Sequence, residues 1–341
     1  MPLSKYMALV SRYKTPLMGL SIFAIVLCHT GILLPGALGY LKFGLWAVNI
    51  FFFLSGMGAY RSLSRNDDTA AFYSRRFNRI YIPYFPIIIL YFLTIGAQTA
   101  ALYGVPGLLW RLFGNLTMLG WVGGMDGQFN WYPQALALVY LISPALFSLV
   151  KRYGADTKKL TFIFLFTLVS QLCFIGSSFL IATSRFVFFV LGMVCSEVVT
   201  SGREIKLPLP LLLIGVPVGH FIMYKSLSLP EEISWKYGLQ WLPDIFSVLG
   251  NMLILCKFFE FCEKRKMLRW LMAVNQTAGR FSFEIFLVHI LVFLFVPMTD
   301  IEAFSIPGGM NILLWCAVSV FAVFCGIGYG KLIEKVRKKV K

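Results

Sequence analysis

Two of the chain's three histidines stand inside strongly apolar stretches. His29 follows the residues IVLC, and His289 ends the stretch FSFEIFLVH at 281–289. Because an ionisable group is expensive to bury in a membrane, each is a candidate functional residue. Imidazole titrates near neutral pH, so a positioned histidine can act as a general base that takes a proton from a hydroxyl group. The alternative for each is a neutral ring that hydrogen-bonds a neighbouring helix, and the sequence leaves both open.

A second group of candidates is the arginines of the sequence FYSRRFNRIYIPY at 72–84. In a helix, Arg76 and Arg79 share a face by i, i+3 spacing, and Arg75 and Arg79 do so by i, i+4 spacing. Guanidinium groups match the oxygens of phosphate, so this loop is a candidate site for a phosphate-bearing ligand. The alternative is that these arginines only anchor the cytoplasmic side of the chain.

Further polar residues lie at the ends of apolar stretches. Ser282 and Glu284 stand at the start of the stretch that contains His289, where each is either part of a site or an ordinary helix-end residue in the headgroup layer. Arg185 opens another apolar stretch. It either meets an anionic ligand or, as the favoured interpretation, extends into the membrane interface.

Other classes of site are not indicated. The seven cysteines form no C-x-x-C pair, so neither a disulfide framework nor a zinc site is predicted, and no metal is expected. The sequence also lacks a phosphate-binding P-loop, a dinucleotide-binding motif, a zinc-protease motif and a serine-hydrolase motif.

The elements that position these residues must be membrane helices. Hydrophobic residues make up 58% of the chain and charged residues 13%, against about 45–50% and 25% in soluble domains. A soluble fold of 341 residues cannot bury so much apolar surface, whereas a bilayer can. The net charge of +16 falls in short basic runs between apolar stretches, which is typical of cytoplasmic loops and argues against nucleic-acid binding.

We predict an all-α, polytopic bundle that crosses the membrane about ten times, at about 20 residues per span. The predicted spans are 17–34, 41–60, 84–103, 131–150, 160–180, 185–199, 207–224, 241–259, 281–296 and 312–332. The apolar stretch 105–121 contains proline, glycine, arginine and asparagine, so it is predicted to be interfacial or re-entrant. One membrane-embedded domain is expected over 1–341, with a short basic cytoplasmic tail at 331–341 on the lipid surface.

The distribution of lysine and arginine sets the orientation. With ten spans and both termini in the cytoplasm, most of the 31 basic residues lie on the cytoplasmic side. The outer side keeps Lys42, Arg111, Arg185, Lys225 and Lys236. His29 and His289 then lie near the bilayer midplane, at depths that differ by about 6 Å, so they can line one cavity. His220 falls near the outer end of its span, where it can reach the interface.

Taken in order, these sequences resemble the acyltransferase-3 family of integral-membrane O-acyltransferases, which includes bacterial O-acetylases of lipopolysaccharide and peptidoglycan. The resemblance extends over about 17–332, essentially the whole chain. It rests on IVLCH at 25–29, NIFFFLSG at 49–56, FYSRRFNRI at 72–80, Trp131 and Tyr132 leading to Pro144, RFVFFVLG at 185–192 and GRFSFEIFLVH at 279–289. Each motif alone is weak, whereas their order and spacing together are specific.

The resemblance implies that His29 is the essential histidine and that Arg76 and Arg79 form the family's paired arginine motif. It also implies a late element from Ser282 to His289. Residues expected to support the site or the acceptor are His289, Ser282, Glu284, Asn49, Trp131, Tyr132 and Arg185. The family uses acyl-CoA donors and modifies carbohydrates of the cell surface. Acetyl-CoA is therefore the expected co-substrate, and no permanently bound cofactor is expected.

The chain also departs from the family pattern. Met18 stands where many members carry arginine or lysine, and Asn49 stands where aspartate is common. Phe283 and Phe286 replace tyrosines of the late element. The expected partners are acyl-CoA, a carbohydrate acceptor that is in some cases lipid-linked, and membrane lipids. The expected location is the bacterial cytoplasmic membrane.

The sequence and its resemblance therefore predict a membrane acyltransferase. His29 is expected to be the general base, and Arg75, Arg76 and Arg79 are expected to bind the phosphates of CoA on the cytoplasmic side. His289 is expected to orient the acceptor or to support His29. Two alternatives stay open: a transporter or flippase of glycolipids, and a non-catalytic membrane scaffold or receptor.

Overall fold

The computed structural model describes residues 1–32, 44–66, 68–120, 131–154, 156–177, 179–295 and 308–340. Within these ranges the regular structure is helical, with no β-strand and only an isolated bridge between Pro2 and Lys206. The all-α prediction is therefore confirmed. The α-helices are α1 (Leu3–Arg12), α2 (Lys14–Ile32), α3 (Trp46–Arg65), α4 (Thr69–Leu116), α5 (Trp131–Arg152), α6 (Thr157–Ser170), α7 (Leu180–Thr183), α8 (Phe186–Thr200), α9 (Leu209–Leu227), α10 (Glu231–Lys236), α11 (Asp244–Lys264), α12 (Arg269–Arg280), α13 (Ser282–Phe295) and α14 (Gly308–Val340).

Helix length and apolarity indicate how many helices can span a membrane. Seven helical segments of the described residues are long and apolar enough to cross a membrane, or eight if the bent pair α12–α13 forms one span. Each of the ten predicted spans overlaps a described helix, so the chain is a multi-pass helical membrane protein. The count of ten and the orientation of the termini stay predictions. Residues 33–34, 41–43, 178 and 296 of the predicted spans, Lys42 among them, lie outside the described residues.

α4 is a 48-residue helix that breaks at Gly104. Gly104 has a φ of 69°, in the left-handed region that favours glycine, and Pro106 follows closely. The helical part beyond the break covers most of the stretch 105–121 that was predicted to be interfacial or re-entrant, whereas Trp121 lies outside the described residues. The glycine and proline therefore separate a distinct apolar helix from the span before it.

The helix that carries His29 makes a very close crossing with α12. Gly19 of α2 lies against the backbone of Asn275, and Gly279 of α12 lies against the backbone of Thr15, with no room for a Cβ atom at either glycine. Such small residues let membrane helices approach closely. Beyond α12 the chain bends by 77° into α13. The crossing and the bend together bring α13 against α2.

A second close crossing joins α3 and α8. Gly56 lies against the backbone at Phe189, and Gly192 lies against the backbone at Phe53, again without space for a Cβ atom. As a result Asn49, near the start of α3, is in hydrogen-bond contact with Arg185, which immediately precedes α8.

Residues 331–340 of the predicted basic tail form the end of α14, and Lys341 lies outside the described residues. Arg280 and Glu334 form an ion pair with two hydrogen bonds, of 2.8 and 2.7 Å. Arg337 donates a hydrogen bond of 3.0 Å to the backbone carbonyl of Arg79. The tail is therefore packed on the helix that contains the predicted arginine site.

The predicted orientation is open to a labelling test. We expect cysteines placed at Lys158 and Lys264 to react only from the cytoplasm, and a cysteine at Glu232 to react from outside, because basic residues collect on the cytoplasmic side. All of these side chains are exposed. The measurement is maleimide labelling in intact cells and inverted vesicles, in a background without the exposed native Cys173 and Cys316. External labelling at position 158 would overturn the span count.

Candidate active site

His29 and His289 are directly hydrogen-bonded. His29 Nδ1 lies 2.7 Å from His289 Nε2, which joins the end of α2 to the middle of α13. His289 Nδ1 lies 3.0 Å from the backbone carbonyl oxygen of Ile285, one turn earlier in α13. The sequence predicted only that both rings lie at similar depths, and the structure brings them into contact.

The proton positions of this pair follow from its acceptor when both rings are neutral. The carbonyl oxygen of Ile285 can only accept, so His289 donates to it from Nδ1. His289 Nε2 is then an acceptor, and His29 Nδ1 must be the donor in the bond between the rings. His29 Nε2 consequently carries a lone pair, which is the arrangement that a general base requires.

His29 lies in the wall of a cavity of about 170 Å³, which we call the histidine cavity. The wall also contains Ile25, Cys28, Val48, Trp131, Arg185, Gln240, Trp241 and Phe286. His289 is fully buried behind this wall, whereas His29 keeps partial exposure. A ligand in the cavity therefore meets His29, and His289 acts on it only through His29.

A second cavity, of about 240 Å³, is lined by cationic side chains, and we call it the arginine cavity. Its wall includes Lys14, Met18, Ser55, Gly58, Arg76, Arg79, Tyr132, Tyr140, Ser282 and Phe283. The arginines that the sequence analysis placed in a loop lie in the first turns of α4, and Arg76 and Arg79 line this cavity. Arg75 does not, since it is exposed and its nearest hydrogen-bond partner is the Ser62 hydroxyl at 3.4 Å.

Aromatic and backbone groups hold Arg76 in place. Its guanidinium carbon lies 5.1 Å from the ring centre of Phe72 and 4.8 Å from that of Tyr140, which are cation–π distances. It also donates to the Gly58 carbonyl at 3.2 Å. The side chain is thereby kept at the cavity wall.

Arg79 is held by a buried carboxylate. Glu284 Oε1 lies 3.5 Å from Arg79 and 4.0 Å from Arg337, and the Glu284 side chain is only 2% exposed. Glu284 is thus the centre of an ion cluster inside the protein, which favours a role in the site over that of an ordinary helix-end residue. Ser282, two residues earlier, lines the arginine cavity with a buried hydroxyl group.

Lys14 is a further cationic residue of this cavity, and it was not among the candidate site residues. It is one helical turn before Met18, and both line the arginine cavity. Met18 stands where many members of the family that the sequence resembles have arginine or lysine. Lys14 therefore brings a positive charge to the same helix face one turn earlier. The i, i+4 spacing between Lys14 and Met18 is the sequence signal from which this position could have been found.

Arg185 is buried, which contradicts its favoured interpretation as an interfacial side chain. It is 0% exposed and donates from Nη1 to the Asn49 side-chain oxygen at 2.6 Å. Asn49 in turn donates from Nδ2 to Asp244 at 2.6 Å. Asp244 was not predicted, because it stands near the start of an apolar stretch and reads as an ordinary helix-capping residue.

Neighbouring residues at the start of α5 face different cavities. Trp131 lines the histidine cavity, and Tyr132 lines the arginine cavity. The ring of Tyr132 packs on that of Phe286 with centroids 4.6 Å apart. Because Phe286 belongs to the histidine cavity, this aromatic pair is the partition between the two cavities. His220, by contrast, contacts Asn251 at 3.2 Å and lines neither of them.

Comparison with known proteins places this architecture in a family. A family model described as an acyltransferase domain, that of acyltransferase 3, matches residues 17–330. No curated protein and no solved structure gives a match. The matched range covers nearly the whole chain. It contains His29, His289, the arginines at the start of α4 and every named wall residue of the two cavities except Lys14. The chain is therefore a multi-pass membrane protein that belongs to the acyltransferase-3 family.

Proposed function

We propose that this protein transfers an acyl group, acetyl in the first instance, from acyl-CoA to a hydroxyl group of a cell-surface glycan or lipid-linked sugar. The observation that carries the proposal is the chain of contacts from the Ile285 carbonyl through His289 to His29 at the wall of a cavity. This arrangement supports a base with its proton-accepting nitrogen directed away from its partner ring. The family to which the chain belongs supports acyl transfer as the reaction class.

In the proposed reaction His29 takes one proton from the acceptor hydroxyl and later gives it to the leaving group. As the acceptor oxygen attacks the thioester carbonyl carbon, its proton passes to His29 Nε2. The imidazolium that forms is stabilised through its Nδ1–H by the lone pair of His289. When the carbon–sulfur bond breaks, the proton returns to the leaving thiolate. The products are the acyl ester and CoA with a free thiol.

The donor is proposed to bind in the arginine cavity. Lys14, Arg76 and Arg79 concentrate positive charge there, and guanidinium groups pair well with the phosphate oxygens of CoA. Cation–π packing and the Glu284 ion pair hold the two arginines before any ligand arrives, which lowers the entropic cost of binding. The thioester then extends past the partition of Tyr132 and Phe286 toward His29.

The protein is proposed to work as one membrane-embedded domain over 1–341 in the bacterial cytoplasmic membrane. The packing of α14 on the start of α4 supports a single unit, because Arg337 and Glu334 connect its end to residues of α4 and α12. The predicted cytoplasmic side, on which the arginines lie, is the side where acyl-CoA is made available.

The proposed function is tested by release of free thiol. Purified protein in lipid nanodiscs is given acetyl-CoA together with a glycolipid extract of the expressing cells, and thiol is measured with a chromogenic disulfide. We expect thiol release that requires both the protein and the extract. Acetyl-CoA turnover of equal rate with and without extract would show a thioesterase instead, and no turnover with saturating extract would contradict acyl transfer. Empty nanodiscs are the control.

His289 gives a sharper test of the histidine pair. We expect His289→Leu to lower turnover roughly tenfold, because losing its acceptor leaves the His29 Nδ1–H unpaired, a loss of about 1.4 kcal/mol. His289→Gln retains an acceptor oxygen and is expected to keep most of the activity. Steady-state rates and CoA affinity are measured for both variants. Equal activity of the leucine and glutamine variants would show that His289 does not orient His29.

A further inference from the structure

The guanidinium group of Arg185 has a polar edge that the fold does not use. Its Nη1 donates to Asn49, but its Nε and Nη2 have no hydrogen-bond partner among the residues that the structure describes. The side chain is 0% exposed. Leaving charged donors buried and unpaired is costly, and a ligand that accepts hydrogen bonds from them removes this cost.

The Arg185 side chain lies at the wall of a cavity rather than in a closely packed core, so a ligand has space beside it. Arg185 lines the histidine cavity together with His29. The ring centres of Trp131 and Trp241 lie 5.5 and 5.4 Å from the guanidinium carbon, so aromatic faces flank the group. These rings keep bulk water away from the guanidinium, and the lower local dielectric strengthens its attraction for an opposite charge.

The supporting contacts leave this edge free and fix its direction. Asn49 accepts from Nη1 of Arg185, and Asp244 accepts from the other end of the Asn49 amide. Asp244 thus reaches the arginine through Asn49 rather than covering its second edge. The Nε–H and one Nη2–H of a guanidinium group are parallel, which matches the two oxygens of one carboxylate or phosphate.

We propose that the histidine cavity selects an anionic acceptor: a sugar that carries a carboxylate or a phosphate, with two oxygens of that group seated on the Nε/Nη2 edge of Arg185. This inference rests on the proposed function, since it names the substrate class of the same site. The anion fixes the sugar in the cavity, and a hydroxyl of the same sugar is then presented to His29 Nε2. Arg185 is in this role a specificity-determining residue, and His29 does the chemistry.

Direct binding tests the inference without relying on acyl transfer. The probes are D-glucuronate, D-glucose 1-phosphate and neutral D-glucose, titrated into the purified protein in nanodiscs and followed by the shift in its unfolding midpoint. We expect at least one anionic sugar to bind tenfold or more tightly than glucose. Preference for glucuronate alone identifies a carboxylate, and preference for glucose 1-phosphate alone identifies a phosphate. Equal binding of all three sugars would overturn the proposal.

Substitutions show which residue causes the preference for anionic sugars over glucose. Arg185→Gln is expected to remove it, and Arg185→Lys, which keeps the charge but lacks the two-donor edge, is expected to reduce it to below about threefold. The Lys variant keeps the test decisive if the Gln variant does not fold. The double variant Arg76→Ala, Arg79→Ala is expected to retain the preference, because those residues line the other cavity. A preference that survives Arg185→Lys and disappears in the double variant would place the anion in the arginine cavity and refute the inference.

Discussion

Replacing His29 with glutamine is expected to lower the rate of acyl transfer by about 10²–10⁴-fold, the usual contribution of a positioned general base. A sugar hydroxyl is only weakly acidic, so its attack on a thioester depends on removal of its proton. Glutamine keeps a polar group that can hydrogen-bond His289, but its amide cannot accept and return a proton at neutral pH. The expected result is therefore a variant that inserts, purifies and binds CoA normally while transfer is lost.

The matched control is His220→Gln. His220 is the remaining histidine of the chain, and it lies outside both cavities in contact with Asn251. Its replacement is expected to leave turnover unchanged. A purely structural role for His29 predicts a different order, because glutamine can replace a helix-bridging hydrogen bond whereas alanine cannot. High activity in His29→Gln together with low activity in His29→Ala would refute the general-base assignment.

Loss of Arg76 or Arg79 is expected to weaken CoA binding. Each charge-assisted hydrogen bond to phosphate contributes about 1.5–3 kcal/mol, which corresponds to roughly 10- to 150-fold in Kd for each arginine replaced by alanine. Substitution by lysine is expected to restore only part of this, since a lysine cannot form the bidentate contact. Calorimetric titration of CoA into the nanodisc-bound protein measures the effect.

Arg75 supplies the control for this prediction. It belongs to the same helical turns of α4 and carries the same charge. However, it is exposed and contacts Ser62 instead of lining the arginine cavity. Arg75→Ala is expected to change the Kd for CoA by less than about threefold, the range of a screened surface charge. Equal losses at Arg75, Arg76 and Arg79 would indicate general electrostatic attraction. Unchanged affinity in all three variants would show that these arginines only anchor the chain at the membrane.

The helical membrane architecture could be predicted because it depends on average properties of the sequence. Apolar stretches of about 20 residues identify spans whatever their neighbours are. The similar depth of His29 and His289 followed from counting residues at 1.5 Å each. Their contact did not follow, because it requires the close crossing at Gly19 and Gly279 and the 77° bend after α12. The periodicity of apolar residues along a helix predicts neither which helix it packs against nor where it bends.

The polar network around Arg185 shows what local sequence cannot supply. Arg185 and Asp244 each stand at the end of an apolar stretch, where charged residues normally extend to the interface. They become an internal pair only because α3 presents Asn49 between them. Lys14, the first residue of α2, was likewise not identified as a site residue. Its role in the arginine cavity depends on which face of α2 the neighbouring helices cover.

The most direct test of acyl transfer is the fate of a labelled acetyl group. Protein in nanodiscs is incubated with acetyl-CoA labelled in the acetyl carbonyl and with the glycan-containing envelope fraction of the expressing cells. We predict that label enters the glycan as an ester that mild alkali releases as acetate, in a one-to-one ratio with free CoA thiol, and that His29→Gln abolishes both. Label recovered only as free acetate, or glycan labelling that persists undiminished in His29→Gln, would contradict transfer by this site.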